Sequence, residues 1–252
     1  MSRMPHRAAQ GELLTPRFRG PVPPVRRGPD GRRSGGVQAP DWVEQIVKQA
    51  SQLDPIWFSR FLPPEVGSTE SAVLVLFGPD PVGDDALLLI ERAHTMRSHA
   101  GQIAFPGGRV DADDDDAVAA ALREAREEVG LTLSGVDIVG VLPPLYIPVS
   151  NYAVTPVIAW WRDPSPVTVG HPDEVATVIS VPVAFLTDPA NRHTVTHSSG
   201  YRGPAWDLGN DLLLWGFTGG IIDKVLELTG RSQPWDRSQT LPLPARFDWN
   251  RT

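Results

Sequence analysis

The chain has 252 residues, of which 41% are hydrophobic and 21% are charged; it is long enough for one sizeable core, and its composition is ordinary for a globular protein. No stretch reaches the roughly 18 consecutive apolar residues that span a bilayer, and the basic N-terminus lacks the apolar region of a signal peptide. We therefore expect a soluble cytoplasmic protein with one main domain. Cysteine is absent, which excludes disulfides, thiolate metal sites and thiol nucleophiles. Any metal must be bound by oxygen atoms or imidazole.

The net charge of −7 is unevenly distributed along the chain. Residues 1–40 carry eight arginines against Glu12 and Asp30, a net charge of +6, which leaves −13 for the remaining residues. This segment is rich in Pro, Gly and Arg and lacks apolar periodicity, so we predict a disordered arm. A basic arm can bind nucleic acid or an anionic surface, but the composition favours a solvated tail. The acidic body repels phosphorylated substrates unless cations or local arginines intervene, and a bound divalent ion would meet that need.

From residue 41 the pattern changes, and residues 41–230 are predicted to form the folded domain. Asp41 is a suitable N-cap for a first helix, because Trp42, Ile46 and Ala50 follow at helical spacing. Apolar runs bounded by Gly, Pro and Asp predict strands, the first two of which form a hairpin. The predicted strands are Ala72 to Phe77, Ala86 to Ile90, Asp137 to Leu142, Val154 to Trp161 and Glu174 to Val183, followed by a second hairpin of His193 to His197 and Ala205 to Leu208.

A helix from Leu212 to Leu228 is predicted to close the domain, and residues 231–252 form a Pro-rich C-terminal tail. Hairpins with helices between them, rather than strict strand-helix-strand units, predict an α/β fold in which helices cover a mixed sheet.

The segment 113–130 reads DDDDAVAAALREAREEVG and predicts a helix with one buried apolar face. The residues of that face are Val118, Leu122, Ala125 and Val129. The acidic start suits the positive N-terminal end of a helix, and Gly130 is placed to end it. Three glutamates lie at i, i+3 and i+4 and are predicted to share a face turned away from the apolar side. They are Glu124, Glu127 and Glu128.

Carboxylates at this spacing repel one another by roughly 0.2–0.5 kcal/mol per pair unless a cation binds them. Hard oxygen ligands select Mg²⁺ or Mn²⁺, so a metal site is one interpretation of the three glutamates. The other is a solvated acidic face, partly neutralised by Arg123 and Arg126. Two glycines before the helix, Gly107 and Gly108, bear on this choice, because backbone can approach a ligand closely there and a carbonyl can complete a metal shell.

Together, the glycine loop and the helix resemble the Nudix box, written GX5EX7REUXEEXGU with U an aliphatic residue. The part from Arg123 to Leu131, REAREEVGL, matches at every specified position. The front half is one residue longer, because Gly108 lies fifteen residues before Arg123 and the box expects fourteen. Counting back from Arg123 assigns the first acidic position to Asp115, whereas counting forward from Gly108 assigns it to Asp114. The sequence leaves both open.

The resemblance implies an α/β/α sandwich with a mixed, partly antiparallel sheet, and an enzyme that hydrolyses nucleoside diphosphates linked to another moiety. It implies that Mg²⁺ or Mn²⁺ is held by Glu124, Glu127 and Glu128, and we add the carbonyl of Gly108 as a further ligand. In the same interpretation Glu124 and Glu127 are catalytic, and Arg123 orients Glu127.

One of the box glutamates, or an acid from a later loop, would activate the attacking water. Glu174, which lies just ahead of a predicted strand, is the candidate for this later acid. An exposed loop glutamate without a catalytic role is the alternative for this residue.

The segment before the box carries a second resemblance. From Leu88 to Gly108 it reads LLIERAHTMRSHAGQIAFPGG, which is similar to the pattern LLTxR[SA]x3Rx3Gx3FPGG of coenzyme A pyrophosphatases and departs from it only at Ile90. This resemblance implies hydrolysis of coenzyme A or its thioesters to 3′,5′-ADP and 4′-phosphopantetheine derivatives. Arginine side chains bind phosphate oxygens well. Arg92 and Arg97 could instead pair with the surplus acidic residues. The residues assigned to substrate binding are Arg92, Arg97, Phe105, Gly107 and Gly108.

Other nucleoside diphosphate derivatives, such as ADP-ribose, NADH or an oxidised nucleotide, are the alternative substrates. A non-catalytic ligand-binding domain on the same fold is the alternative of another class. The expected partner is a small-molecule nucleotide, and neither a membrane span nor nucleic-acid binding is expected. The oligomeric state is left open, with a homodimer among the options.

Overall fold

The computed structural model describes residues 13–14, 38–58, 62–64, 67–80, 83–198 and 200–247. Most of the predicted N-terminal arm therefore lies outside the described residues. Two residues of the arm form a short strand, β1 (Leu13–Leu14), which pairs in parallel with Val178 and Ile179. No helix in the described part of the chain has the length and apolar composition that crossing a membrane requires.

The α-helices of the described residues are α1 (Asp41–Ala50), α2 (Ala117–Val129), α3 (Val183–Thr187) and α4 (Gly216–Leu228). The strands that follow β1 are β2 (Thr69–Pro79), β3 (Asp85–Arg92), β4 (Ile103–Ala104), β5 (Gly107–Arg109), β6 (Val136–Val141), β7 (Leu145–Ile147), β8 (Tyr152–Trp161), β9 (Val175–Pro182), β10 (Arg192–Thr196), β11 (Arg202–Gly209), β12 (Leu212–Leu214) and β13 (Thr240–Pro242). The predicted first helix is confirmed, but its N-cap is Pro40, and Asp41 is its first helical residue.

The main sheet contains the order β1-β9-β3-β2-β8-β6, with β4 paired to β3, β5 to β2 and β7 to β8. The predicted first hairpin is confirmed, because β2 and β3 are antiparallel with Phe77 opposite Leu87. The pairing of β2 with β8 is parallel and runs from Thr69 opposite Tyr152 to Phe77 opposite Trp160. The sheet is therefore mixed, as the sequence predicts.

The two faces of the main sheet belong to different cores. Side chains alternate along a strand, so Leu74 and Leu76 of β2 pack in the core that contains α2, whereas Val75 and Phe77 pack in the core that contains α1 and α4. Helices thus cover both faces, and the predicted α/β/α sandwich is confirmed. This arrangement lays α2 over the sheet face that carries β5 and the end of β3.

The second predicted hairpin is confirmed, and it belongs to a separate sheet with the order β12-β11-β10-β13. The prediction of one helix from Leu212 to Leu228 is wrong in its first part, because Leu212–Leu214 form β12 and the helix begins at Gly216. Asn210 and Asp211 both have positive φ, 52° and 63°, which is the backbone of a two-residue hairpin turn. This turn sends the apolar residues after it back along β11.

The Pro-rich segment after residue 230 packs on the second sheet as far as residue 247. Its strand β13 pairs in parallel with β10, and Phe247 is buried with its ring centroid 5.6 Å from that of Trp215. The guanidinium group of Arg192 is buried between the rings of Trp206 and Trp235. The C-terminal segment therefore packs on the second sheet, and Phe247 joins its small outer core.

Candidate active site

Helix α2 is held at both ends by the residues that flank it. Asp116 is its N-cap, and the Oδ1 atom of that residue accepts a hydrogen bond of 2.8 Å from the backbone N–H of Ala119. Gly130 ends the helix in the left-handed conformation, with φ of 67°, and its N–H donates to the carbonyl of Arg126 at 3.0 Å. The predicted helix end at Gly130 is confirmed, and these caps fix where α2 begins and ends.

Arg123 and Asp114 form the ion pair at the front of the helix. Arg123 donates from Nε to Oδ1 of Asp114 at 3.0 Å and from Nη2 to Oδ2 at 2.9 Å, which is the bidentate geometry of a strong charge-assisted contact. This pairing holds the pKa of Asp114 below its usual value. Asp115 is exposed. Of the two candidates for the first acidic position of the box, Asp114 is the one that contacts Arg123, and the assignment of that position stays a prediction.

The rest of the Arg123 guanidinium group contacts two glutamates of α2. Its Nη1 donates to Glu124 at 3.0 Å and to Glu127 at 3.4 Å, and its Nη2 donates to the carbonyl of Arg109 at 3.0 Å. The pKa of Arg123 is raised, chiefly by the hydrogen bond to Asp114. The predicted contact with Glu127 is present, but the contact with Glu124 is shorter.

Glu128 does not lie where the sequence places it. The predicted position was on a face turned away from the apolar side, but Glu128 is 2% exposed and lies beside buried Ala125 and Ala121 on one face of α2. Its carboxylate accepts a hydrogen bond of 2.9 Å from the N–H of Gly107. Burial raises the pKa of Glu128 to about 8. The N–H of Gly107 satisfies the carboxylate of Glu128 on a helix face that otherwise carries hydrophobic side chains.

The two glycines of the loop are favoured for different structural reasons. Gly107 has a φ of 156° and lies against the backbone of Ala72 and Val73, so that an added Cβ atom would overlap them. A Cβ atom on Gly108 would overlap the carboxylate of Glu124. Backbone atoms thus restrict position 107 to glycine, whereas a side chain at position 108 would displace the carboxylate of Glu124. The carbonyl of Gly108 as a metal ligand stays a prediction.

Glu174 lies next to the acids of α2, although it is far from them in sequence. Its charge, together with that of Glu124, helps to raise the pKa of buried Glu128, and burial is the main cause of the raised pKa of Glu124, to which Glu127 and Glu174 add. The carbonyl of Glu174 accepts a hydrogen bond of 2.7 Å from the N–H of Ala93 at the end of β3. The structure thus brings Glu174 to the site, and its catalytic role stays a prediction.

The three side chains predicted to bind substrate lie in different environments. The charge of Arg92, at the end of β3, lowers the pKa of Glu128, and its buried Nε has no hydrogen-bond partner among the described residues. Arg97 is exposed on the loop between β3 and β4. Phe105 is 3% exposed and packs in the core on the sheet face opposite α2. The structure therefore brings Arg92 to the acids but not the ring of Phe105.

The donor set of the site fits a hard divalent cation, since it consists of carboxylate and carbonyl oxygen atoms. Within the described ranges, however, no three carboxylate or imidazole groups stand close enough together to form a ready-made metal shell. The reason is visible in the contacts, because Arg123 holds Glu124 and Glu127 while the loop N–H holds Glu128. The carboxylates must rotate away from these donors to converge on one ion.

Two side chains beside the site were missed by the sequence analysis. Arg109 directly follows Gly108, and its Nε donates a hydrogen bond of 2.8 Å to the hydroxyl of Tyr152. The two residues are 43 positions apart, and no local pattern connects them. Asp116 was missed as a cap too, although an Asp before an alanine-rich run is a helix-start signal.

The comparisons with known proteins agree with this geometry. A family model described as the NUDIX domain matches residues 68–198. The uncharacterized Nudix hydrolase NudL of Cronobacter sakazakii is 41% identical over 157 residues, which cover 61% of this chain and 79% of that protein. NudL of Escherichia coli K12 is 39% identical over 155 residues, with the same two shares.

Among solved structures, a Nudix hydrolase from M. smegmatis, RenU, is similar with a TM-score of 0.47 and 22% identity, covering 68% of this chain and 92% of that one. The family model spans more than half of the chain, and the NudL proteins are related to it over most of their length. It follows that the chain belongs to the Nudix family and is a pyrophosphohydrolase.

Proposed function

We propose that this pyrophosphohydrolase cleaves the diphosphate linkage of coenzyme A or its thioesters, releasing 3′,5′-ADP and a 4′-phosphopantetheine derivative. The observation that carries the proposal is the position of Arg92, whose charge acts on Glu128 and whose buried Nε lacks a hydrogen-bond partner among the described residues. A half-buried arginine whose buried Nε is unpaired, and whose charge acts on a nearby acid, suits an anionic ligand that bridges the two. Arg92 belongs to the segment from Leu88 to Gly108 that resembles coenzyme A pyrophosphatases.

The chemistry requires a water molecule, a base and a way to hold the diphosphate. Water adds to one phosphorus atom, the bridging P–O bond breaks, and each product keeps one phosphate of the former diphosphate. The proton of the water passes to a carboxylate. Glu127 and Glu174 suit this task, because each is about half exposed and can reach solvent, whereas Glu128 is buried and bonded to the loop.

Nudix hydrolases generally use divalent metals, and we propose Mg²⁺ or Mn²⁺ here. The residues that would hold the ion are Glu124, Glu127 and Glu128, with the Gly108 carbonyl as a further ligand. When bound, such an ion neutralises phosphate charge and lowers the pKa of water. Arg123 keeps Glu124 and Glu127 within reach of the site, and Asp114 in turn fixes Arg123.

A substrate panel tests the proposal. Purified protein with Mg²⁺ or Mn²⁺ is incubated with coenzyme A, acetyl-coenzyme A, ADP-ribose, NADH and 8-oxo-dGTP, and the products are identified by mass spectrometry. We expect the two coenzyme A compounds to be cleaved with the highest kcat/KM and to yield 3′,5′-ADP. Intact coenzyme A beside cleaved ADP-ribose or NADH would instead support the alternative substrates.

A matched pair of variants tests whether Glu127 takes part in catalysis. Glu127→Gln should reduce kcat at least about a hundredfold, in line with the loss of a general base or ligand, and leave the unfolding temperature close to that of the parent. Glu44→Gln, an exposed glutamate of α1, should leave kcat unchanged. Full activity of the Glu127 variant would contradict the assignment of that residue, and inactivity of the parent on every compound would favour a non-catalytic ligand-binding domain.

A further inference from the structure

We propose that Arg109 and Tyr152 form a subsite for a phosphate monoester carried on the ribose of the nucleotide substrate. The inference rests on the proposed function, since it names the group by which the nucleotide half of that substrate is held. Coenzyme A carries such a group as its 3′-phosphate, separated from the diphosphate by one ribose ring.

Arg109 is connected to the acidic cluster by direct contacts. It is the last residue of β5 and follows Gly108, which packs against the carboxylate of Glu124. Its carbonyl oxygen accepts the hydrogen bond from Nη2 of Arg123, while Nη1 of the same guanidinium group bonds to Glu124. One arginine side chain therefore separates the backbone of Arg109 from the acids.

The side chain of Arg109 is oriented in advance by Tyr152. Its Nε donates to the tyrosine hydroxyl at 2.8 Å, and its guanidinium carbon lies 5.6 Å from the ring centroid. Its terminal nitrogens make no hydrogen bond to any described residue, and the side chain is exposed. A guanidinium group that is fixed through Nε presents its two terminal nitrogens as a fork, which matches the oxygen atoms of a phosphate.

Tyr152 itself is held by the start of β8. It lies opposite Thr69 of β2, and the preceding residue, Asn151, donates from its side chain to the carbonyl of Gly67 at 2.7 Å. The side-chain oxygen of Asn151 accepts a hydrogen bond of 2.8 Å from the hydroxyl of Tyr146. The backbone that carries Tyr152 is therefore held in place, and the hydrogen bond to its hydroxyl limits the side-chain freedom that Arg109 loses when it binds a ligand.

The sheet register distinguishes this subsite from the diphosphate site. Gly108 and Arg109 lie opposite Ala72 and Ser71 of β2, and successive side chains point to opposite faces. Since Gly108 faces Glu124, the side chain of Arg109 points to the other face of the sheet. Among the described residues β5 pairs with β2 only, and Arg109 at the end of this strand is exposed. The fork of Arg109 thus suits a second anionic group, apart from the diphosphate.

Binding of two nucleotides that differ by one phosphate tests this assignment. Calorimetry gives the Kd of 3′,5′-ADP and of 5′-AMP for the parent protein, Arg109→Gln, Tyr152→Phe and Arg162→Gln. Arg162 is the matched control, because it is an arginine just beyond the opposite end of β8 that pairs with Asp137.

We expect Arg109→Gln to weaken 3′,5′-ADP binding by about tenfold or more, as the loss of charge-assisted hydrogen bonds implies, while 5′-AMP binding changes by less than about twofold. Tyr152→Phe should weaken 3′,5′-ADP binding in the same direction but less, because Nε loses its acceptor while the charge stays. Arg162→Gln should change neither value.

Equal losses for both nucleotides, or no loss for either, would overturn the proposal. Thermal unfolding of each variant shows whether a loss reflects misfolding, and a lowered unfolding temperature with equal losses counts against the subsite. The measurement needs no turnover, so its outcome is separate from that of the proposed function. If coenzyme A is not cleaved while Arg109→Gln selectively weakens 3′,5′-ADP, the substrate assignment fails and the subsite stands.

Discussion

At the scale of single residues, two carboxyl groups of the site have pKa values that are shifted in opposite directions. The carboxylate of Asp114 accepts two hydrogen bonds from Arg123 and one from the N–H of Asp111, and its pKa is lowered. The carboxylate of Glu128 accepts one, from the N–H of Gly107, and burial raises its pKa to about 8. Donors favour the charged form and burial disfavours it, so the hydrogen bonds from Arg123 dominate at Asp114 and burial dominates at Glu128.

The raised pKa of Glu128 predicts a pH-dependent stability in the absence of divalent ions. The group titrates near 4.5 when unfolded and near 8 when folded, so between these values the native state binds the extra proton, and the free energy of unfolding falls as pH rises. The stabilisation is fully present below pH 4.5 and is lost as the pH rises through 8. Urea unfolding at several pH values should show this fall in the parent and a smaller fall in Glu128→Gln. The same pH slope in both proteins would contradict the prediction.

At the scale of elements, α2 carries the site because its two ends are fixed independently of its glutamates. Asp116 satisfies the N–H of Ala119, and Gly130 takes the left-handed conformation that other residues adopt only with strain. The rotation of the helix between these caps buries Glu128 and leaves Glu127 about half exposed. The packing of the apolar face of α2 on the sheet thus determines which glutamates reach the loop and which reach solvent.

Loss of the N-cap should therefore lower stability. We predict that Asp116→Ala reduces the free energy of unfolding by about 1 kcal/mol, the usual cost of removing an Asp cap. Asp115→Ala is the matched control, since Asp115 is adjacent and exposed, and it should change the free energy of unfolding by less than about 0.5 kcal/mol. Equilibrium urea unfolding measures both. Similar losses in the two variants would show that the local negative charge, and not the cap, is responsible.

At the scale of the whole molecule, a second sheet extends the sandwich on the side of α4. Inner side chains of this sheet, such as Trp206 and Leu214, join the core of α1 and α4, while Val195 and Trp215 form a smaller outer core with Phe247. The chain segment after residue 230 is what covers that outer core. A segment that composition marks as a Pro-rich tail therefore contributes to the folded structure.

A single substitution tests the contribution of this segment. Phe247→Ala should lower the free energy of unfolding by about 3 kcal/mol, because a buried aromatic ring is removed from a packed core. Val149→Ala is the control, since Val149 is 96% exposed and its truncation should have almost no effect. Thermal and urea unfolding measure both variants. An unchanged free energy of unfolding in Phe247→Ala would mean that the segment does not stabilise the domain.

Much of the fold could be predicted because its signals are local. Alternating or continuous apolar runs identified the main strands, and the residues Arg123 to Leu131 identified the box helix and its glycine end. The strand β12 was assigned to a helix because its turn, Asn210 and Asp211, lacks the usual glycine, so three leucines before a helical pattern looked continuous with it. Turn conformation here depends on backbone angles that apolar periodicity does not report.

By itself, the sequence determined the family chemistry of this protein: a glycine loop, an arginine and three glutamates at helical spacing, all within one segment of the chain. Only the tertiary structure paired Asp114 with Arg123, buried Glu128 beneath the loop, brought Glu174 to the acids, and placed Arg109 on Tyr152. The physical reason is the same in each case. These outcomes depend on how α2 is rotated against the sheet and on the register of β5 with β2, and both are set by contacts between residues that are distant in the chain.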